Sequence, residues 1–252
     1  MILKRVFDIL ASLVGLLLIW WVYPIVAIMI KKKMPGGPAF FCQKRVGKDG
    51  KLFTCHKFRT MIPVKNNEGN SAKKGDKEWS SVSVAGDSRI TPFGAKLRHY
   101  KIDELPELWD VLIGKMSFVG PRPDVPGYAD KLEGDDRDVL KLRPGITGPA
   151  TLKYRLEDEM IADFVKEVRC LDYCRFCEKF VDASRVLNND LFNQLRELPD
   201  QEIAVWYNDN VIYPDKVRLN CYYYRNYSFL KDIEMIFATV LGREIEFAGE
   251  RF

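Results

Sequence analysis

The chain has 252 residues, 47% of them hydrophobic and 29% charged, which is enough apolar material for a substantial core and too much for a disordered polypeptide. Lys and Arg number 39 against 35 Asp and Glu, and the resulting net charge of +4 is too small to point to a nucleic-acid partner. Six cysteines occur without a secretory leader and without the spacing of a disulfide scaffold, so a reducing, cytoplasm-facing setting is expected.

Residues 9–30, ILASLVGLLLIWWVYPIVAIMI, carry no charged side chain. A straight helix of that length, at about 1.5 Å per residue, would reach across the hydrocarbon of a bilayer. Two features argue against a simple span. Lys4 and Arg5 precede the run and Lys31, Lys32 and Lys33 follow it, so cations draw both ends to the same side of a membrane. Pro24 lies inside the run, where it cannot donate to the Trp20 carbonyl and its ring crowds the preceding turn. A helix, a break and a second helix that enter and leave one leaflet satisfy both facts, with Trp20 and Trp21 near the apex.

Residues 39–61 predict two short strands, 39–42 and 51–58, around a glycine-containing turn at 47–50. Lys44, Arg45, Lys57 and Arg59 flank it. Residues 63–88, rich in Lys, Asn, Gly and Ser, read as a mobile surface loop. An extended turn at 89–92 and a helix from Phe93 follow, and they bring Arg89 and Arg98 close in sequence to the next motif.

That motif, residues 101–123, reads KIDELPELWDVLIGKMSFVGPRP. Leu105, Leu108, Trp109, Leu112 and Ile113 are spaced as one buried face of a helix, and Pro106 in its first turn removes no hydrogen bond. Asp103 is then the natural N-cap. A carboxylate there is favoured in its ionised form and is available as a metal ligand or as a nucleophile toward phosphorus; the plainer alternative is that it only caps. Gly114 ends the helix, and Gly120-Pro121-Arg122-Pro123 makes a rigid turn that holds Arg122 for bidentate capture of a phosphate. Residues 143–149 present Arg143 and Thr147 on a second stiff, glycine-containing loop.

Residues 130–142 alternate acids and bases around a few leucines, as an exposed helix does. Residues 156–206 read as two or three charged amphipathic helices. Cys170, Cys174 and Cys177 within them lack the histidine or fourth cysteine that zinc would need, and an iron–sulfur cluster would need a far larger barrel, so they are read as free thiols. The last helix, capped by Ser228, carries an apolar stripe of Phe229, Leu230, Ile233, Ile236, Phe237, Val240 and Leu241, suited equally to a core and to an interface.

Four blocks in order, QKRVGKDGKLFTCHKFRTM, DSRITPFGAKLR, IDELPELWDVLIGKMSFVGPRP and RPGITGPA, closely resemble the bacterial sugar transferases that act on polyprenyl phosphate, the monotopic phosphoglycosyl transferases. The resemblance covers most of residues 1–155 and returns near the end of the chain. It implies an α+β, mostly helical fold with a small strand element. The organisation expected is a re-entrant membrane helix at 1–33, a catalytic domain at 34–155, a helical insertion at 156–206 and a C-terminal part of the catalytic domain at 207–252. The activity implied is transfer of a sugar 1-phosphate from a UDP-sugar to undecaprenyl phosphate with release of UMP, an opening step of capsule, O-antigen, exopolysaccharide or glycoprotein glycan assembly.

By the same resemblance Asp103 attacks phosphorus and forms a covalent phospho-sugar intermediate, while Glu104 acts as base or joins Asp103 in holding Mg2+. Lys57, Arg59, Arg89, Arg98, Arg122, Arg143 and Thr147 are the expected substrate contacts, and Lys4, Arg5, Tyr23 and Pro24 the expected membrane residues. Tyr23 departs from the family, which carries a small polar residue before this proline. The cytoplasmic face of a bacterial inner membrane is the implied location, with membrane lipids as partners, no nucleic acid, and a homodimer left open. Two other classes share these residues: a phosphohydrolase with water as acceptor and a non-catalytic adaptor for lipid head groups.

Overall fold

Helices α1 (Ile2–Ile19) and α2 (Val22–Lys33) meet at a bend of 61°, broken at Trp20 and Trp21. Pro24 falls in the first turn of α2, where its missing N–H has no partner to lose, so the helix restarts ahead of the ring. Neither helix alone is long and apolar enough to cross a membrane; the bent pair together is. The computed structural model describes residues 1–62 and 89–252, and the 63–88 segment expected to form a loop lies outside them.

The polar stripe of α1 faces inward. Lys4, Asp8 and Ser12, four residues apart, are all buried, whereas Ile2, Leu3, Leu10, Leu17 and Leu18 are exposed. Lys4 Nζ donates to Asp232 Oδ2 at 2.8 Å and to the Tyr223 hydroxyl at 3.3 Å. Asp8 Oδ1 accepts from Ser117 Oγ and from the Phe118 N–H, both at 3.1 Å. Arg5 donates to the carbonyls of Val111 (2.6 Å) and Leu112 (2.8 Å). Lys4 and Arg5, expected to flank the apolar run as membrane-facing cations, are instead bound within the protein, because α1 packs on elements that offer them acceptors.

A hairpin follows, β1 (Phe40–Val46) paired antiparallel with β2 (Leu52–Phe58), with Phe40 opposite Phe58 and Cys42 opposite His56. Alternation along β2 sets Cys55 and Lys57 on one face and His56 on the other. Thr91 caps α3 (Pro92–His99) by accepting from the Gly94 N–H at 2.9 Å. Next come α4 (Glu107–Leu112), then β3 (Ser117–Val119), which pairs parallel with β4 (Gly145–Thr147), then α5 (Pro149–Lys153). The backbones at β3 and β4 lie so close that a Cβ on Gly145 would come within 2.2 Å of the Gly120 nitrogen, a contact only glycine avoids. Residues 130–142 form 3-10 turns, Ala129–Lys131 and Gly134–Lys141, in place of the expected helix, with Val139 and Leu140 buried.

The described chain forms two units. The first comprises residues 1–62, 89–153 and 219–252. Its central cluster packs Val119, Leu142 and Leu152 with Leu219 and Tyr223, Met235, Ala238 and Phe247. The second, Tyr154–Arg218, contains α6 (Glu157–Cys170), α7 (Tyr173–Lys179), α8 (Val181–Ser184), α9 (Asn189–Glu197) and α10 (Asp200–Tyr207). That is more helices than the two or three expected, because caps punctuate the segment. Asp172 accepts from the Arg175 N–H and Asn188 from the Leu191 N–H, and Pro199 opens α10. Phe164, Phe176, Phe192 and Tyr207 fill its core, with the Phe164 and Tyr207 rings stacked at 3.8 Å. Cys170 and Cys174 are exposed and all three cysteines of this unit are free.

Helix α11 (Tyr213–Arg225) leads to α12 (Phe229–Leu241) and a closing hairpin, β5 (Glu246–Phe247) and β6 (Glu250–Arg251). Ser228 occupies the N-cap position of α12 without a capping bond from its hydroxyl. Asp232, Met235 and Ala238 form the buried face of α12, and Leu230, Phe237, Val240 and Leu241 of the predicted stripe are exposed. The fold is α+β, mostly helical with three small strand pairs among the described residues.

Because Lys4 neutralises Asp232 in a site where both are nearly shut off from water, Lys4→Met should cost about 3 kcal/mol of unfolding free energy. The double variant Lys4→Met/Asp232→Leu should recover most of that loss. Denaturant titration in detergent micelles measures both; a cost below about 1 kcal/mol would mean that the pair behaves as a solvated surface contact.

Candidate active site

The acidic pair sits on a 3-10 turn, Ile102–Glu104, entered through Lys101 in the left-handed region (φ +54°). Asp103 is therefore not the N-cap it was expected to be: its side chain makes no capping bond, and α4 starts at Glu107, just beyond Pro106. Both carboxylates are buried nonetheless, Asp103 at 9% exposure and Glu104 at 8%.

The expected burial of α4 is also reversed. Glu107, Asp110 and Val111 face inward, while Trp109 is 52% exposed and Ile113 is exposed beside it. The hairpin explains this, because it brings cations and donors to the acids. Lys57 Nζ lies 2.9 Å from Glu104 Oε1 and 3.1 Å from Glu107 Oε1. Asp110 accepts from the His56 N–H at 3.0 Å, and the His56 ring Nδ1 lies 2.9 Å from its other oxygen. Cys55 Sγ donates to Glu107 at 3.3 Å. Arg122, on the proline-flanked turn after β3, reaches Glu104 Oε1 at 3.2 Å.

These neighbours drive the carboxylates apart. Burial alone would raise the Glu104 carboxyl, but the Arg122 guanidinium and the Lys57 ammonium hold it well below the usual carboxylate range. Glu107, just as deeply buried, is shifted upward by burial first, with the adjacent Glu104 charge adding to the shift and Lys57 and Arg122 opposing it. Asp103 is pushed up to about 6, by burial first and by the adjacent Glu104 charge second; Lys57, Lys101 and Arg98 oppose the shift. Asp103 Oδ1 is buried with no hydrogen-bond partner among the described residues. A carboxylate oxygen in that state is available to a ligand from outside.

Of the side chains expected to bind substrate, Lys57 and Arg122 join the acids directly and Arg98 lies close enough to bias Asp103. The Arg59 guanidinium is 5% exposed and donates to the carbonyls of Met34, Gly37 and Pro38, closing the end of α2. Arg143 Nε donates to the Gly114 carbonyl at 3.0 Å, and the buried Thr147 hydroxyl meets Thr239 Oγ1 at 2.5 Å. The Arg89 carbonyl accepts from the Ile62 N–H at 3.0 Å. Beside the acids, a small open recess is lined by Arg45, Cys55, Lys57, Glu107, Arg122 and Gly145, among others. Sequence reasoning passed over Glu107 and Asp110, although acids at every third position from Glu104 mark one helical face.

A buried carboxylate with an open oxygen, set in a frame of lysine and arginine, is equipment for handling an anionic phosphoryl group. A family model described as bacterial sugar transferase matches residues 1–188, and the chain belongs to that family. It is similar to the undecaprenyl-phosphate galactose phosphotransferase of Salmonella typhimurium, 40% identical over 155 residues that make up 58% of this chain and 31% of that protein. It is 35% identical over 160 residues to the exopolysaccharide production protein ExoY of Rhizobium meliloti, covering 58% of this chain and 66% of that one. A putative undecaprenyl-phosphate N-acetylgalactosaminyl 1-phosphate transferase of Bacillus subtilis is 38% identical over 133 residues, 53% of this chain and 68% of its own length. The match thus spans about a third of the Salmonella relative and about two thirds of the smaller ones.

The raised Asp103 has a consequence for stability. Its folded carboxyl is pushed up to about 6 from an ordinary value of 3.8, so between those values the folded state holds more protons than the unfolded one and stability falls as pH rises. Asp103→Asn removes that penalty. In metal-free buffer the variant should be more stable than wild type by about 3 kcal/mol at pH 8 and nearly equal to it at pH 4. Paired denaturation curves at the two pH values check this, and a pH-independent difference would contradict it.

Proposed function

We propose that the protein transfers a sugar 1-phosphate from a UDP-sugar to undecaprenyl phosphate and releases UMP. The observation that carries this reading is the buried Asp103 oxygen without a partner, beside Glu104 and the cations Lys57 and Arg122. Asp103 Oδ1 attacks the phosphorus that bears the sugar, the bond from that phosphorus to the bridging oxygen breaks, and UMP leaves with the oxygen and its electron pair. A phosphate oxygen of undecaprenyl phosphate then attacks the same phosphorus and displaces the carboxylate. Arg122 and Lys57 meet the charge on the diphosphate, and Arg122 is better suited to it because its guanidinium is half exposed on a stiff turn.

Mg2+ belongs to the proposal, and the donors fit it. Asp103 and Glu104 set two carboxylates side by side; among the described residues no group of three acids, histidines or cysteines could hold a metal unaided. A hard cation with few protein ligands, completed by substrate oxygens and water, suits that donor set and would neutralise diphosphate charge.

The proposed setting is the cytoplasmic face of a bacterial inner membrane, with α1 and α2 as a re-entrant pair. The 61° bend and the outward apolar side chains of both helices support it. So do the exposed faces of α12 and of α4 at Trp109. Lys31, Lys32 and Lys33 remain exposed where α2 ends, as cations at an anionic lipid surface would be.

Two measurements test the chemistry. Asp103→Asn should abolish UMP release, and wild-type kcat/KM for the UDP-sugar should fall about tenfold per pH unit below about 6, as a required carboxylate takes up its proton. Full turnover in the variant would move the nucleophile elsewhere. Arg122→Ala should lower kcat/KM about ten- to a hundredfold, with Arg122→Lys recovering only part. Its partly exposed ion pair with Glu104 should leave the melting temperature little changed, whereas near-normal kinetics with a lowered melting temperature would make Arg122 structural.

A further inference from the structure

Helix α4, which carries two of the acids, is held at both ends by the bent helix pair. At its C-terminal end Arg5 of α1 donates to the carbonyls of Val111 and Leu112. At the other end Tyr23 of α2 donates its hydroxyl to the Leu105 carbonyl at 2.8 Å. That carbonyl also accepts the Leu108 N–H at 3.1 Å, so the phenol closes on the first turn of the helix, one residue past Glu104. The Tyr23 ring meanwhile packs on Phe58, centroids 5.7 Å apart. Phe58 is the residue after Lys57. One side chain, two residues from the exposed Trp21 at the bend, thereby touches a neighbour of each partner in the Lys57–Glu104 ion pair.

The turn that holds Asp103 and Glu104 needs such support. Lys101 enters it in the left-handed region, which disfavours an L-residue with a side chain. Leu105 leaves it in the αR region, which the following Pro106 ring disfavours. A bond to the Leu105 carbonyl therefore helps set where the two acids point. It does so from the element that faces the lipid in the proposed setting.

We propose that Tyr23 is a positioning residue, coupling the helix break to the acidic turn so that the two acids are held in line for the reaction at phosphorus. The inference rests on the two-substrate transferase reading above. Both half-reactions of that reading pass through Asp103, so the alignment bears on its attack on the donor and on its displacement by the lipid-borne phosphate. Loss of the hydroxyl should then lower turnover with both substrates and leave the fold as stable as before.

Tyr23→Phe keeps the ring on Phe58 and removes only the bond to Leu105. With UDP-galactose, or the best UDP-sugar found for wild type, and undecaprenyl phosphate in detergent micelles, the variant's kcat/KM for undecaprenyl phosphate should fall about three- to tenfold. That for the UDP-sugar should fall by a similar factor, with the melting temperature unchanged. Hydrogen exchange over residues 101–109 should quicken, because the Leu108 N–H is held by the same carbonyl. Unchanged acceptor kinetics, or an equal loss for both substrates together with a lowered melting temperature, would overturn the coupling and leave a packing residue. A wild type that releases no UMP from any UDP-sugar would overturn the transferase reading and this inference with it, and the wild-type control alone identifies that case. Unaltered exchange over 101–109 would refute the hold on the turn whatever the kinetics.

Discussion

The Lys57 ammonium, set between Glu104 and Glu107, is the contact on which the rest of the first unit depends. Without it the 3-10 turn and α4 would place two carboxylates side by side in a buried site, and one of them would have to be neutral or solvated. With it, and with Arg122 paired directly with Glu104, the two acids take opposite shifts. Asp103 has no such partner, and its proton affinity rises toward neutrality. Among three carboxylates within five residues, Glu104 is thus held ionised while Asp103 and Glu107 are shifted upward, so that one site keeps acids of different proton affinity side by side.

The same unit inverts the usual relation between helix faces and solvent. Helices α1 and α4 bury a polar or charged stripe, α12 buries Asp232 beside Met235 and Ala238, and all three expose apolar side chains. In a soluble protein that arrangement would be costly, since water would contact the leucines and the carboxylates would lose their solvation. It is consistent only where the buried polar groups satisfy one another and something apolar covers the outside. The Lys4–Asp232, Asp8–Ser117 and Lys57–Glu107 contacts meet the first condition. The proposed bilayer meets the second.

This inversion also explains what could be read from the sequence. Periodicity located α3, the bend near Pro24, the hairpin and the apolar stripes of α4 and α12, because spacing is visible without knowing the surroundings. It could not tell which side of a stripe faces the protein, since the rule that apolar faces point inward presumes water outside. Asp103, Glu104, Lys57 and Arg122 stand out as candidates by motif and residue chemistry, and the fold brings Lys57 and Arg122 onto Glu104. Glu107, Asp110 and His56 were passed over: their roles arise from β2 lying against α4, a pairing between residues some 50 positions apart. Arg143 and Arg59 looked like phosphate ligands because they stand on stiff loops, but an arginine beside a helix end also finds carbonyls in need of donors. Local sequence does not separate the two uses.

The ion pair between Lys4 and Asp232 joins positions 228 apart in the chain. At synthesis rates of about 5 to 20 residues per second, α1 would wait roughly 10 to 50 s before its counter-ion is made. During that interval Lys4 has no Asp232 to pair with, and the leucines of α1 have no protein to cover them. A surface that accepts apolar side chains and carries negative charge at its edge could hold both in the meantime. In the proposed membrane setting the order of assembly would run from lipid contact, through the hairpin and acidic turn, to closure by α12, and a chain interrupted before Asp232 would lack the contact that seals its first helix.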